Sequence, residues 1–256
     1  MKNEFETKLV KEEDQNVPQN VFLSKIKFKE SLQEIESYYT KNKKDIDLIK
    51  PDSDKNLPLQ IAVTAKHYEV VNFIIKNFAN KSKDINLVNS LGWSALHSSC
   101  ILSLTQDITT LLINNGADIN LENKNKQTPL HLACGKNRVE NVKVLLSYPE
   151  VEINCKDYNG FTPLIKSCAS VAYDCAKELL NQNNIKINEQ DKQGNTALHY
   201  VFEDNKFDIG IQLIQRGANE SIKNKDSKTC LDMISDEASR NMMISYLNKK
   251  KEEETK

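Results

Sequence analysis

The sequence lacks an imbalance of charge: 35 Lys and Arg stand against 36 Asp and Glu, a formal net charge of -1 over 256 residues. Without a positive excess there is no long-range field to draw in nucleic acid or an anionic membrane surface, so neither is expected as a partner. It also lacks a long apolar run, since no segment approaches the roughly 20 residues that span a bilayer. The opening Met1-Lys2-Asn3-Glu4-Phe5-Glu6 has no apolar core of a secretory signal, so a protein of the cytoplasm or nucleus is expected. The sequons Asn80-Lys81-Ser82 and Asn219-Glu220-Ser221 would then not meet the glycosylation machinery. No Cys-x-x-Cys pair occurs among the six cysteines, and with that spacing missing no metal and no cofactor is expected. Gly135-Lys136 lacks the preceding glycine of a phosphate loop, so no nucleotide site is assigned.

What is present is a period. Ser94-Ala95-Leu96-His97, Thr128-Pro129-Leu130-His131, Thr162-Pro163-Leu164-Ile165 and Thr196-Ala197-Leu198-His199 begin 34 residues apart. Leu57-Pro58-Leu59-Gln60 lies 37 residues before the first of these, and Thr229-Cys230-Leu231-Asp232 lies 33 after the last. A repeat of this length decides the architecture. Each start opens two short helical patterns, the second clearest at Val139, Val142, Leu145 and Leu146 on one face. The opening Thr can cap a helix and the following Pro needs no backbone donor in the first turn. The helices stop at Asn115-Gly116 and Arg216-Gly217, where Gly can take the left-handed conformation; Asn183-Asn184 can do the same, and Pro149 forbids continuation.

The period also absorbs the residues that look chemical. Cys100, Cys134 and Cys168 are 34 apart and share one inner-helix position, which Val63 and Phe202 fill in neighbouring repeats, so an apolar stacking role is expected. Cys134 and His131 have the residue types of a thiol catalyst, but no third group positions the base, and no enzyme is expected.

Thr128-Pro129-Leu130-His131-Leu132-Ala133 resembles the signature of the ankyrin-repeat family, and the likeness extends over about residues 20–248. It implies an all-α fold, a solenoid of about seven helix–turn–helix repeats with β-hairpin-like fingers. His97, His131 and His199 would hydrogen-bond between neighbouring repeats, as the signature His does in that family. The implied domain covers 18–248: an N-terminal cap repeat at 20–52, repeats near 53–89, 90–123, 124–157, 158–191 and 192–224, and a C-terminal cap at 225–248. The cap at the start would rest on Phe22, Leu23, Ile26, Phe28, Leu32, Ile35 and Tyr39, and that at the end on Leu231, Ile234, Met243, Ile244 and Leu247. Charged tails are expected at 1–17 and 249–256.

A narrower resemblance is to the gankyrin type, the chaperones of proteasome regulatory-particle assembly. It rests on the repeat count, on Gly92-Trp93-Ser94, on Lys136-Asn137-Arg138 and on Asp191-Lys192-Gln193-Gly194-Asn195-Thr196. It implies a monomer that holds a proteasome base ATPase subunit by its C-terminal helical domain. That type's Leu-x-Cys-x-Glu motif for retinoblastoma-type proteins is absent at Leu198-His199-Tyr200-Val201-Phe202, and that activity is not carried over. A general ankyrin adaptor for a kinase, transcription factor or ubiquitin ligase stays open beside it.

In the family the finger tips and the exposed side of the first helix meet the partner. That register gives Asp54 and Asn56, then Trp93, Ile101 and Leu102, then Lys124, Gln127 and Lys136. Further along it gives Tyr158, Phe161 and Ser170, then Lys192, Asn195, Glu203 and Asp204, then Lys225, Asp226, Lys228, Asp236 and Glu237. Trp93 is expected to be an exposed anchor flanked by Tyr158 and Phe161, since aromatics bring large area at little rotamer cost. The charges alternate in blocks, which would set a partner's orientation.

Overall fold

A computed structural model describes residues 17–254 and falls into two compact units that meet between Lys124 and Asn125. The expected N-terminal tail lies outside the described residues except for Val17. Among the described residues there is no strand; the elements are short helices in pairs.

The first unit holds α1 (Pro18–Lys27) and α2 (Leu32–Lys41), α3 (Pro58–Thr64) and α4 (Tyr68–Lys76), the single turn α5 (Lys81–Asp84), then α6 (Ala95–Ile101) and α7 (Gln106–Asn114). Inner helices α1, α3 and α6 stack on one another, as do outer helices α2, α4 and α7. Pro58 sits in the first turn of α3, where a missing N–H costs nothing. At the start Phe22, Ile26 and Ile35 are fully buried, and Tyr39 lies between Phe22 and Phe73 with ring centroids at 5.8 and 5.4 Å. This makes the expected cap an aromatic one, although Phe28 is 66% exposed and takes no part. The 37-residue spacing has its cause in α5, whose N-terminus is capped by Asn80 Oδ1. After it Ile85 is buried nine residues before Ser94, just as Ile119 is before Thr128, so the register recovers.

The second unit holds α8 (Pro129–Gly135) and α9 (Val139–Leu146), α10 (Pro163–Ala169) and α11 (Tyr173–Leu180), α12 (Ala197–Glu203) and α13 (Phe207–Gln215), then a 3-10 helix (Cys230–Met233) and α14 (Glu237–Glu254). Its inner helices α8, α10, α12 and the 3-10 helix stack in that order, and α9, α11 and α13 stack outside them. Phe202 is fully buried against Gly210 of α13, where any Cβ would overlap its ring. A glycine inside a helix costs roughly 1 kcal/mol relative to Ala, here in exchange for an aromatic core residue.

Two expectations change. Asn183 and Asn184 keep negative φ, and α11 stops without a left-handed residue, by the turn Gln182 N–H to Leu179 carbonyl at 3.0 Å. Gly116, at φ +92, does make the expected stop, with Ala117 N–H reaching back to Leu112. The last helix does not end at 248 but continues through the charged run to Glu254, with Met243 and Leu247 buried and Ile244 on its exposed side.

The stacking position expected of the cysteines is present. Val63, Cys100, Cys134, Cys168 and Phe202 are all buried, and burial pushes the thiols of Cys100 and Cys168 up to about 12. They are apolar filling in each unit.

Candidate functional site

Each finger is a five-residue turn built by an Asp or Asn. In the second unit Asp157 accepts the N–H groups of Asn159 and Phe161 through Oδ1, and its own N–H closes the turn on the Phe161 carbonyl at 2.9 Å. Asp191 does the same for Gln193 and Asn195, as Asn224 does for Asp226 and Lys228. Adjacent fingers are tied backbone to backbone: Tyr158 N–H to Asn125, Lys192 N–H to Asn159 and Lys225 N–H to Gln193, at 2.9 to 3.0 Å. Gly160, at φ +80, lies so close to the next finger that a Cβ would come 2.8 Å from Lys192 N. In the first unit Asp52 and Asn89 build the turns that carry Asp54, Asn56 and Trp93, and Lys124 N–H reaches Leu91 at 3.3 Å.

Behind the fingers, the signature His does what the resemblance implied. His131 Nδ1 accepts the Thr128 N–H at 3.2 Å, and Nε2 lies 2.9 Å from the Phe161 carbonyl of the next repeat. His199 repeats this with Thr196 and with Lys228 at 3.2 Å. The network fixes the tautomer with the proton on Nε2. Burial holds both imidazoles below their ordinary 6.5, while the bonds to the next repeat pull the other way. Both ring nitrogens of His131 are engaged, so none is left as a base beside Cys134. The expected Thr cap appears where no His stands: Thr162 Oγ1 accepts the Ile165 N–H at 3.2 Å, whereas the Thr128 and Thr196 hydroxyls turn to the imidazoles. Gln60 replaces the His in the second repeat, accepting from Leu57 N–H and donating to the Trp93 carbonyl.

Sequence reasoning missed one set of linking residues that the same 34-residue period carries. Asn86 donates to the Gly116 carbonyl at 3.0 Å and accepts the Asp118 N–H at 2.8 Å. Asn154 bonds the backbone of Asn184 and Lys186 in the same way, and Asn188 that of Gly217 and Asn219. In each unit these bonds run from one repeat to the one after it.

The residues assigned to the binding face divide into three groups. Asp54, Lys124, Lys136, Glu203, Lys225 and Lys228 are exposed, and among the described residues none of their side chains is in an ion pair. Tyr158 is 63% exposed, with Lys192 Nζ 4.0 Å over its ring, so these two are brought together. The third group is partly taken up by the fold. Asn56, Trp93, Ile101, Leu102, Gln127, Phe161, Ser170 and Asn195 are only half exposed.

Trp93 is half-buried rather than the freely exposed anchor expected of it, and its backbone is fixed, the main-chain N–H donating to Asn89 and the carbonyl accepting from Gln60. Phe161 packs edge-on against Tyr200 with centroids 5.9 Å apart. Gln127 Nε2 bonds Asp157, and Asn195 Oδ1 accepts from Asn224. Asp204, though exposed, accepts the Tyr173 hydroxyl at 2.7 Å and so links two repeats. Asp236 caps α14 by accepting the Ser239 N–H, and hydrogen bonding by the Ser239 hydroxyl and then its N–H holds the carboxyl below the usual range.

Among the described residues no three His, Cys, Asp or Glu side chains gather as a metal site would require, and no helix is long and apolar enough to cross a membrane. The family model for ankyrin repeats in three copies matches residues 30–123, 59–157, 103–191 and 148–226. No curated protein matches the sequence. A crystal structure of the ankyrin-repeat domain of Bcl-3, described as a unique member of the IkappaB protein family, superposes with a TM-score of 0.73 at 21% identity, covering 87% of this chain and 96% of that one. At that identity the likeness speaks for the fold.

Proposed function

Because the chain belongs to the ankyrin-repeat family, we propose that its protein-binding scaffold holds the C-terminal helical domain of a proteasome base ATPase subunit and acts as a chaperone while the regulatory particle assembles. The observation that carries a binding role is the set of exposed charges on the fingers and inner helices, Asp54, Lys124, Lys136, Glu203, Lys225 and Lys228, left without ion pairs among the described residues. On the outer helices α9 and α11, by contrast, Lys143 pairs with Glu140 and Glu178 and Lys177 with Asp174. Unpaired charge on one face is available to select and orient a partner.

The narrower identity of that partner is supported by the Gly92-Trp93-Ser94 opening, the Lys136-Asn137-Arg138 run and the Asp191–Thr196 segment, which are similar to the gankyrin type. The mechanism is steric: a domain held by the scaffold is withheld from the proteasome core until the base is complete. Purification of the tagged chain from a native lysate tests this. Base ATPase subunits are expected in the eluate, and Lys136→Glu is expected to weaken their retention about tenfold. An eluate free of ATPase subunits would leave the general adaptor.

A further inference from the structure

In the second unit, the fingers of the fourth to sixth repeats and the inner helices α8 and α10 with the turns that follow them carry five cations, Lys126, Lys136, Arg138, Lys166 and Lys192, and only two carboxylates, Asp157 and Asp191. Both aspartates are buried and committed inward. Asp157 serves Asn159, Phe161 and Gln127, and Asp191 serves Gln193, Asn195 and the Tyr200 hydroxyl at 2.5 Å. The exposed charge of this stretch is therefore of one sign, and the exposed acids Glu203 and Asp204 begin beyond it, at the end of α12.

Two of these lysines are seated rather than free to sweep. Lys192 Nζ lies 4.0 Å above the exposed ring of Tyr158, and Lys166 Nζ lies 5.5 Å from the centre of Phe161. The Lys166 stem also fills the place where any side chain at Gly135 would stand, since a Cβ there would come 2.9 Å from Lys166 Cε. Phe161 is steadied in turn by the Tyr200 edge. A cation on an aromatic face keeps its outer hydrogens for a second partner, and holding the stem lowers the entropy lost when that partner binds. Neither lysine is in an ion pair among the described residues.

Resting on the scaffold reading above, we propose that this ledge is a seat for an acidic segment of the partner protein, with Lys166 and Lys192 each taking a carboxylate and Tyr158 and Phe161 taking the apolar side chains beside them. Charge complementarity chooses the occupant: on this stretch, short of Glu203, a basic segment would meet five cations and no accessible acid.

A random peptide library displayed on phage and selected on the intact chain tests the proposal without any knowledge of the natural partner. Selected peptides are expected to be rich in Asp and Glu beside aromatic or aliphatic residues. A synthetic peptide of the selected sequence is expected to lose about tenfold or more in affinity on Lys166→Gln with Lys192→Gln, and to bind more weakly as salt rises. Tyr158→Ser, which alters no buried residue, is expected to weaken the same peptide, and an unchanged thermal melt for each variant shows that folding is not the cause. Peptides without acidic enrichment, no enrichment at all, or acidic peptides indifferent to both variants would overturn the seat. Absence of proteasome ATPases from the native eluate would remove the partner proposed above and leave this selection unaffected.

Discussion

The two units solve the same stacking problem by different means. The second keeps the 34-residue spacing at 128, 162 and 196, and four of the five ion pairs among the described residues lie in it. The first spaces its second and third repeats 37 apart, carries the extra turn α5, and exposes seven of the eleven large apolar side chains that reach solvent, Leu104 most of all at 84%. Leu104 also holds φ +59, in a turn where Asn137 and Asn205 occupy the left-handed position of other repeats. Regular spacing lets a polar link be reused from repeat to repeat, because each partner recurs at the same offset. The irregular unit keeps two such links, Gln60 to the Trp93 carbonyl and Asn86 to Gly116, and adds an aromatic cluster of Phe22, Tyr39 and Phe73 at its start. The regular unit is also the one in which Lys166 and Lys192 are seated on aromatic rings.

The contrast can be broken at its strongest point by Phe202→Ala. If packing still dominates in the regular unit, this change costs about 3–5 kcal/mol in chemical denaturation and speeds hydrogen exchange in α12 and α13. A cost under about 1 kcal/mol would mean that the polar links suffice. Next in size, Asn154→Ala removes two bonds to the following repeat and is expected to cost about 1–3 kcal/mol. Asn86→Ala makes the same cut in the irregular unit, and a smaller loss there would sharpen the comparison. Leu104→Asn should act in the opposite direction, gaining about 1 kcal/mol in a thermal melt by relieving a left-handed leucine. A falling melting temperature would show instead that the Leu104 side chain packs.

The smallest effect is one of pH. His131 and His199 have folded values below the ordinary 6.5, so on acidification the unfolded chain takes up protons first. Their contribution to stability is full above pH 6.5 and declines as pH falls below it toward the folded values. His131→Gln, with Gln60 as the native precedent, is expected to flatten that decline without removing the link to Phe161.

Much of this was legible in the sequence because the period is a one-dimensional record of the stack. The helix starts and the cysteine position follow from residues 34 apart, and the role of the signature His from the resemblance to the ankyrin repeat. Exposure was harder to read. Trp93, Gln127, Phe161 and Asn195 occupy the same offset before the Ser or Thr, yet how much of each meets solvent depends on the next repeat, where Tyr200 covers Phe161. Asp204 looks like free surface charge until Tyr173, 31 residues away on an outer helix, is found bonded to it. The Asn links were visible in principle, since Asn86, Asn120, Asn154 and Asn188 share the period, but Asn in a loop reads as turn chemistry before it reads as a bridge.

The Asn links and those of the signature His point the same way along the chain, from a side chain to backbone that comes later. During synthesis Asn154 and His131 emerge before the carbonyls and amides they will hold, so each new repeat leaves the ribosome with outstretched groups that only its successor can satisfy. In the seventh repeat these groups are gone. Asp232 stands where the His would be and accepts from Thr229, but has no second nitrogen to reach onward, and Ile222 stands where the Asn would be. The Asn and His links therefore stop at the seventh repeat, whose inner turn carries a carboxylate bonded back to its own Thr instead of a ring reaching forward.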